Sequence, residues 1–128
     1  MSELVVLDNS ALIALIDDEP GAEIVQNVIF RAVVSTVTWA EAHSVLTHRG
    51  MNSIIALEEL RFALQELVPF TETQAQVAGA LRATTKEAGL SLGDRSCLAL
   101  ALELKTPVYT ADKAWKSIDV GCDVRLIR

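Results

Sequence analysis

The sequence predicts an α/β fold: a mainly parallel sheet of about five strands with helices on both faces. Three observations predict it. Short apolar runs of strand length alternate with helical stretches along the whole chain; the first run, Leu4 to Leu7, is uniformly apolar, as in a strand buried on both sides; and cap or breaker residues separate runs from the helices around them.

Each element has a local reason. Leu4 to Leu7 is a strand, Asp8-Asn9-Ser10 a turn and cap, and Ala11 to Ile16 a helix. Asp17-Asp18-Glu19-Pro20-Gly21 breaks that helix, a second covers Ala22 to Phe30, and the Val-rich segment Ala32 to Ser35 forms the next strand. Thr38 to Arg49 is helical with Gly50 as its stop, and Ser53 to Gln65 is amphipathic through Ile54, Leu57, Leu60, Phe62 and Leu64. Leu67 to Phe70 is a short third strand. Thr71 caps a long helix to about Ala88, ended by Gly89. Ser91 opens a helix that buries Cys97, Leu98, Ala101, Leu102 and Leu104, and Thr106-Pro107 leads into the strand Val108 to Thr110. A short helix around Ala114 to Lys116 and a strand from Val124 to Ile127 complete the pattern. No repeat or linker interrupts it, so residues 1–128 read as a single domain.

Composition narrows the function. Hydrophobic residues make up 51%, yet no apolar run approaches the roughly 20 residues of a membrane span. The start of the chain lacks a signal-peptide pattern, and a cytoplasmic location is the default expectation. The two cysteines, Cys97 and Cys122, have no zinc-like spacing and read as buried structural thiols. A net charge of −6 argues against a protein that coats nucleic acid through bulk charge, so a nucleic-acid ligand would require a local basic surface, a metal, or both.

Four acids stand out: Asp8, Glu41, Asp94 and Asp112. In a parallel α/β sheet, ligands gather at the carboxyl ends of the strands. Asp8 and Asp112 fall just past the first and fourth strands, and Glu41 in the first helical turn after the second. Asp94 follows a helix, and nothing in the alternation alone carries it to that rim. Each acid also has a structural reading: Asp8 and Asp112 as caps or turn residues, Thr38-x-x-Glu41 as a capping box, Ser91-x-x-Asp94 as an acidic variant of one. Jointly, carboxylates at one rim repel unless a cation intervenes. Oxygen ligands of this kind suit magnesium or manganese, and an open acidic site of that type serves phosphodiester hydrolysis.

Val5-Val6-Leu7-Asp8-Asn9-Ser10-Ala11-Leu12, Glu41 early in its helix, Leu90-Ser91-Leu92-Gly93-Asp94 and Tyr109-Thr110-Ala111-Asp112-Lys113-Ala114-Trp115 together resemble the PIN-domain nucleases. More narrowly, the chain is similar to VapC-type toxins of bacterial toxin–antitoxin pairs. The resemblance implies a three-layer α/β fold and a magnesium- or manganese-dependent endoribonuclease leaving 5′-phosphate and 3′-hydroxyl ends. It also implies a homodimer and inhibition by a small antitoxin protein. By position, Asp8, Glu41, Asp94 and Asp112 would bind the metal, with Ser10 and Thr110 orienting carboxylates or waters behind them.

Other residues carry less. His43 and His48, five apart on one helix, fall on different faces and do not form a chelating pair. Arg95, Lys113 and Lys116 each follow a proposed metal acid closely and could meet flanking phosphates or be solvated. Six aromatics are too few for extensive base stacking. Two other readings stay open at this point. A phospho-receiver domain has similar length and an acidic rim, but needs an aspartate past the middle strand where this chain has Val68-Pro69-Phe70. A non-catalytic binding module would need no divalent metal.

Overall fold

The computed structural model describes residues 3–128. Five strands, β1 (Val5–Leu7), β2 (Ala32–Ser35), β3 (Glu66–Val68), β4 (Val108–Thr110) and β5 (Val124–Leu126), form one parallel sheet in the order β3-β2-β1-β4-β5. The chain moves outward from β1 through β2 to β3, then returns to place β4 against the other side of β1. That return makes a topological switch point between β1 and β4, where open α/β sheets bind ligands. A receiver domain instead follows the order 2-1-3-4-5, so the signalling alternative fails on topology.

The side chains of β1 alternate although both faces are apolar. Val5 and Leu7 enter one core with Val34, Leu12, Val25, Leu46 and Leu57, while Val6 enters the other with Val33, Leu98, Leu100, Val108 and Trp115. The first core is closed by α1 (Asn9–Ile16), α2 (Ala22–Val28), α3 (Thr36–His48) and α4 (Ser53–Ala63). The second is closed chiefly by α7 (Leu92–Leu104), with the single-turn segment Lys113–Ser117 supplying Trp115. Burying a side chain as large as Leu12 or Leu98 contributes about 1.5–3 kcal/mol, so the two faces together carry most of the stabilisation. This is the expected three-layer arrangement.

Several boundaries move for identifiable reasons. The third strand begins at Glu66 rather than Leu67, because Gln65 N–H donates to the Ala32 carbonyl at 2.9 Å and fixes the register Val33↔Glu66. The third major helix begins at Thr36, since the Ser35 hydroxyl at the end of β2 accepts from Val37 N–H at 3.1 Å and caps it. Thr38 therefore lies inside the helix and caps nothing. The single helix expected from Thr71 to Ala88 is two, α5 (Glu72–Ala80) and α6 (Arg82–Thr85). Both threonine hydroxyls of α6 turn back to the Leu81 carbonyl, Thr85 at 2.8 Å and Thr84 at 3.3 Å, a competition with the backbone that β-branched residues invite.

Candidate functional site

The site starts with Asp8, the residue after β1. It caps α1 by accepting from Ala11 N–H at 2.9 Å, as any cap would, yet is only 4% exposed. Two hydroxyls hold it. Ser10 Oγ donates to Asp8 Oδ1 at 2.7 Å and Thr110 Oγ1, at the end of β4, donates to Oδ2 at 2.5 Å. Both hydroxyls then accept from the loop after β4: Ala111 N–H reaches Ser10 Oγ at 2.8 Å and Asp112 N–H reaches Thr110 Oγ1 at 3.0 Å. The switch point is thus laced by a network that fixes both oxygens of Asp8. Ser10 and Thr110 thus both bond directly to the Asp8 carboxylate.

Glu41 and Asp94 approach from other elements. Glu41 sits in the second turn of α3, half-buried, with its carboxylate against Gly93 at the start of α7. Asp94 occupies the third position of α7, where Ser91 and Asp94 form a reciprocal capping box. Asp94 N–H donates to Ser91 Oγ at 3.2 Å and Ser91 N–H to Asp94 Oδ2 at 2.9 Å, so Oδ1 remains open. The first turns of α7 reach this rim because the helix runs back across the sheet to feed the parallel strand β4, with Cys97 Sγ donating to the Leu7 carbonyl at 3.7 Å.

The electrostatics record the convergence. Burial pushes Asp8 up from the ordinary 3.8 to about 6, with the Asp94 charge adding to the rise and the hydroxyl and amide donors opposing it. Glu41 is also raised, first by burial and then by the charges of Asp94 and Asp8. The ion pairs among the described residues, Arg49 with Asp17 and Glu19, Arg125 with Glu3 and Asp123, and Arg128 with Glu19, leave these three carboxylates without a cation. Asp112 stands beside them rather than among them: it is exposed and spends one oxygen on the Ala114 N–H at 2.9 Å.

The donor set fits a hard cation. It is all oxygen, and both oxygens of Glu41 and Oδ1 of Asp94 accept no hydrogen bond from a described residue. Among the described residues no three His, Cys, Asp or Glu side chains are grouped closely enough to hold a metal ion by themselves. A magnesium ion at this rim would therefore be held by one or two of these carboxylates and keep several waters.

The basic residues divide. Arg95 is buried and donates to the Ala78 carbonyl at 2.9 Å, tying α7 to the end of α5, so it does not present its charge to a substrate. Lys116 donates to the Val124 carbonyl at 2.6 Å, closing the loop onto β5. Lys113 is exposed, with no hydrogen bond or ion pair to another described residue. His43 pairs with Ser53 Oγ at 2.7 Å and meets the Trp39 ring edge-on, which gives it a structural role. Trp115 is wholly buried in the second core. Of the thiols, Cys97 is buried and Cys122 half-buried. Sequence reasoning passed over Gly93; the available signal was a glycine in the first turn of a helix, where nothing local asks for one.

The same architecture recurs in known structures. The chain is similar to the DNA-bound VapBC from Salmonella typhimurium, at 17% identity and a TM-score of 0.80 over 99% of this chain and 100% of that one. It is similar to VapC20 from Mycobacterium tuberculosis, described as a sarcin-ricin loop cleaving toxin, at 16% identity and a TM-score of 0.75 over 88% and 93%. FitAcB from Neisseria gonorrhoeae aligns at 18% identity and a TM-score of 0.72 over 94% and 96%. No curated protein sequence matches the chain. No helix among the described residues is long and apolar enough to cross a membrane. The PIN-domain profile, by contrast, matches residues 5–121, from the first strand past the last of the four acids, and the chain belongs to the PIN-domain family.

Proposed function

We propose that this protein is a magnesium- or manganese-dependent endoribonuclease and the toxin of a toxin–antitoxin pair. The observation that carries the reading is that the Asp94 charge raises both Asp8 and Glu41 at this rim while no described residue forms an ion pair with any of the three. When bound, a divalent ion would lower the pKa of a water and neutralise charge on a phosphodiester. Glu41 and Asp94 offer the open oxygens that would hold it, Asp8 the buried charge that draws it in, and Asp112 an exposed carboxylate at the margin. Ser10 and Thr110 would hold the Asp8 carboxylate in a fixed orientation behind such an ion. Lys113, next to Asp112 and free to reach outward, is suited to a flanking phosphate.

The family and the fold of its VapC relatives support the toxin assignment, and one surface suits an antitoxin. A groove of about 510 Å³ between α1, the end of α2 and α4 is lined by Leu15, Ile16, Phe30 and Leu60, with Phe30 76% exposed. Exposed Ile54, Ile55 and Phe62 continue the apolar character along α4. Such surface is covered by a partner in many soluble proteins, here by an antitoxin segment or a second copy of the toxin.

The test is RNA cleavage by purified protein with magnesium or manganese, set against Asp94→Asn. Wild type is expected to leave 5′-phosphate and 3′-hydroxyl ends and the variant to fall by at least about 100-fold, in the range seen when an essential electrostatic group is lost. Equal activity in the two, or equal activity in chelator, sinks the proposal; a binding module would show no metal dependence at all.

A further inference from the structure

Gly93 occupies the second position of α7 with an ordinary backbone, since its φ lies outside the left-handed range in which glycine has an advantage. A glycine there costs helix stability relative to alanine, and the turn it sits in is otherwise well built, with Ser91 capping and Asp94 closing the box. The compensation lies across the interface. A β-carbon on Gly93 would fall inside the 3.0 Å that real β-carbons essentially never breach, and the atoms it would strike are Cδ, Oε1 and Oε2 of Glu41. No backbone atom is among them.

We propose that Gly93 is a positioning residue: the hydrogen it carries in place of a side chain forms the seat in which the Glu41 carboxylate rests beside Asp94. The inference rests on the reading of Asp8, Glu41 and Asp94 as a cation-holding set, and assigns the shape of that set to an atom that is missing. Glu41 reaches from α3 and Asp94 is fixed to α7 by its own cap, so the gap between them is set where the two helices touch. Adding one methyl group leaves the helices where they are, because the far end of a flexible side chain can swing away. The fold survives, and the geometry of the acids does not.

This separates the proposal from a packing role. Gly93→Ala is expected to melt at the wild-type temperature or a few degrees above it, while Mn2+ affinity falls about 10-fold or more, the range typical of losing a group that orients a metal ligand. Gly79→Ala is the control: it lies in α5, gains the same helix propensity and has no atom within 4 Å of the new carbon. It is expected to bind Mn2+ as wild type does. In a Glu41→Asp background the carboxylate is withdrawn by about 1.5 Å, one carbon–carbon bond, and adding Gly93→Ala is then expected to change affinity less than about 2-fold, since the clash is gone. The side-chain carboxyl carbon of Glu41, followed by NMR in metal-free protein, is expected to shift in Gly93→Ala and stay put in Gly79→Ala. An unmoved Glu41 signal overturns the seat, whatever the metal does; so does a loss of Mn2+ affinity that persists undiminished in the Glu41→Asp background. Failure of wild type to bind Mn2+, with the Glu41 signal still displaced, would instead remove the cation reading and leave the contact standing.

Discussion

Replacing Asp8 by asparagine is expected to make the metal-free protein more stable while abolishing the proposed RNA cleavage. Asp8 is held at about 6 when folded, against 3.8 ordinarily, chiefly because burial penalises its charge. The folded state therefore binds this proton more tightly than the unfolded chain does. The stability the proton confers is fully present below about pH 4 and is lost as pH rises through about 6. At about 1.4 kcal/mol per pH unit, the distance from 3.8 to about 6 amounts to about 3 kcal/mol withdrawn once the group is ionised. Asparagine never ionises, and its geometry allows the contacts to persist: its oxygen can accept from Ser10 and Ala11, and its amide can donate to Thr110 Oγ1, whose own proton can turn to Ser10 Oγ 3.4 Å away. Allowing for imperfect bonds, a gain of about 2 kcal/mol at pH near 7 is expected, or about 6 °C in Tm for a domain of this size. The assay is thermal and urea unfolding of both proteins in chelator from about pH 4 to pH 8. The two curves should coincide at the acid end and separate as Asp8 ionises. Saturating Mn2+ should then close or invert the gap, since ligand at 100 times its dissociation constant adds about 2.7 kcal/mol to the protein that binds it. If Asp8→Asn is no more stable than wild type at any pH, or the gap ignores pH, the buried charge is not the burden supposed here.

Thr110→Val removes the hydroxyl that joins Asp8 to the Asp112 amide, and is expected to lower Mn2+ affinity and cleavage by about 10- to 100-fold while the far-UV spectrum stays unchanged. Arg95→Met is expected to cost about 1–3 kcal/mol in urea unfolding through the unpaired Ala78 carbonyl, with cleavage per folded molecule unaltered; a pure loss of RNA binding would contradict the strut assigned to it. Lys113→Ala should leave Tm alone, weaken RNA binding a few-fold and reduce the slope of log affinity against log salt by about 1.

The fold was largely legible because both faces of the sheet are covered, so that helix and strand alternate in sequence as they do in space. What blurred was set by contacts outside the local sequence. The edge strand β3 is half-exposed, so its start depends on where Gln65 meets Ala32 rather than on its own hydrophobicity. The helix through residues 72–85 reads as continuous because nothing in its composition announces that Thr84 and Thr85 will bind Leu81. Asp8 and Asp112 were found from a simple rule, that residues just past parallel strands share a rim. Asp94 obeys a corollary that went unused: a helix feeding a parallel strand must begin at the rim where the other strands end. Arg95, one position further along α7, turns instead into the contact with α5, and only packing decides that difference.

The bonds around Asp8 join residues 100 and 102 positions apart. A polypeptide emerging from a ribosome has Asp8, Glu41 and Asp94 long before it has Thr110 and the loop that locks the first of them. Closing so long a loop is also among the slower steps of folding. A chain truncated ahead of the fourth strand lacks both Thr110 and Asp112, and under the proposed function it is expected to be inactive.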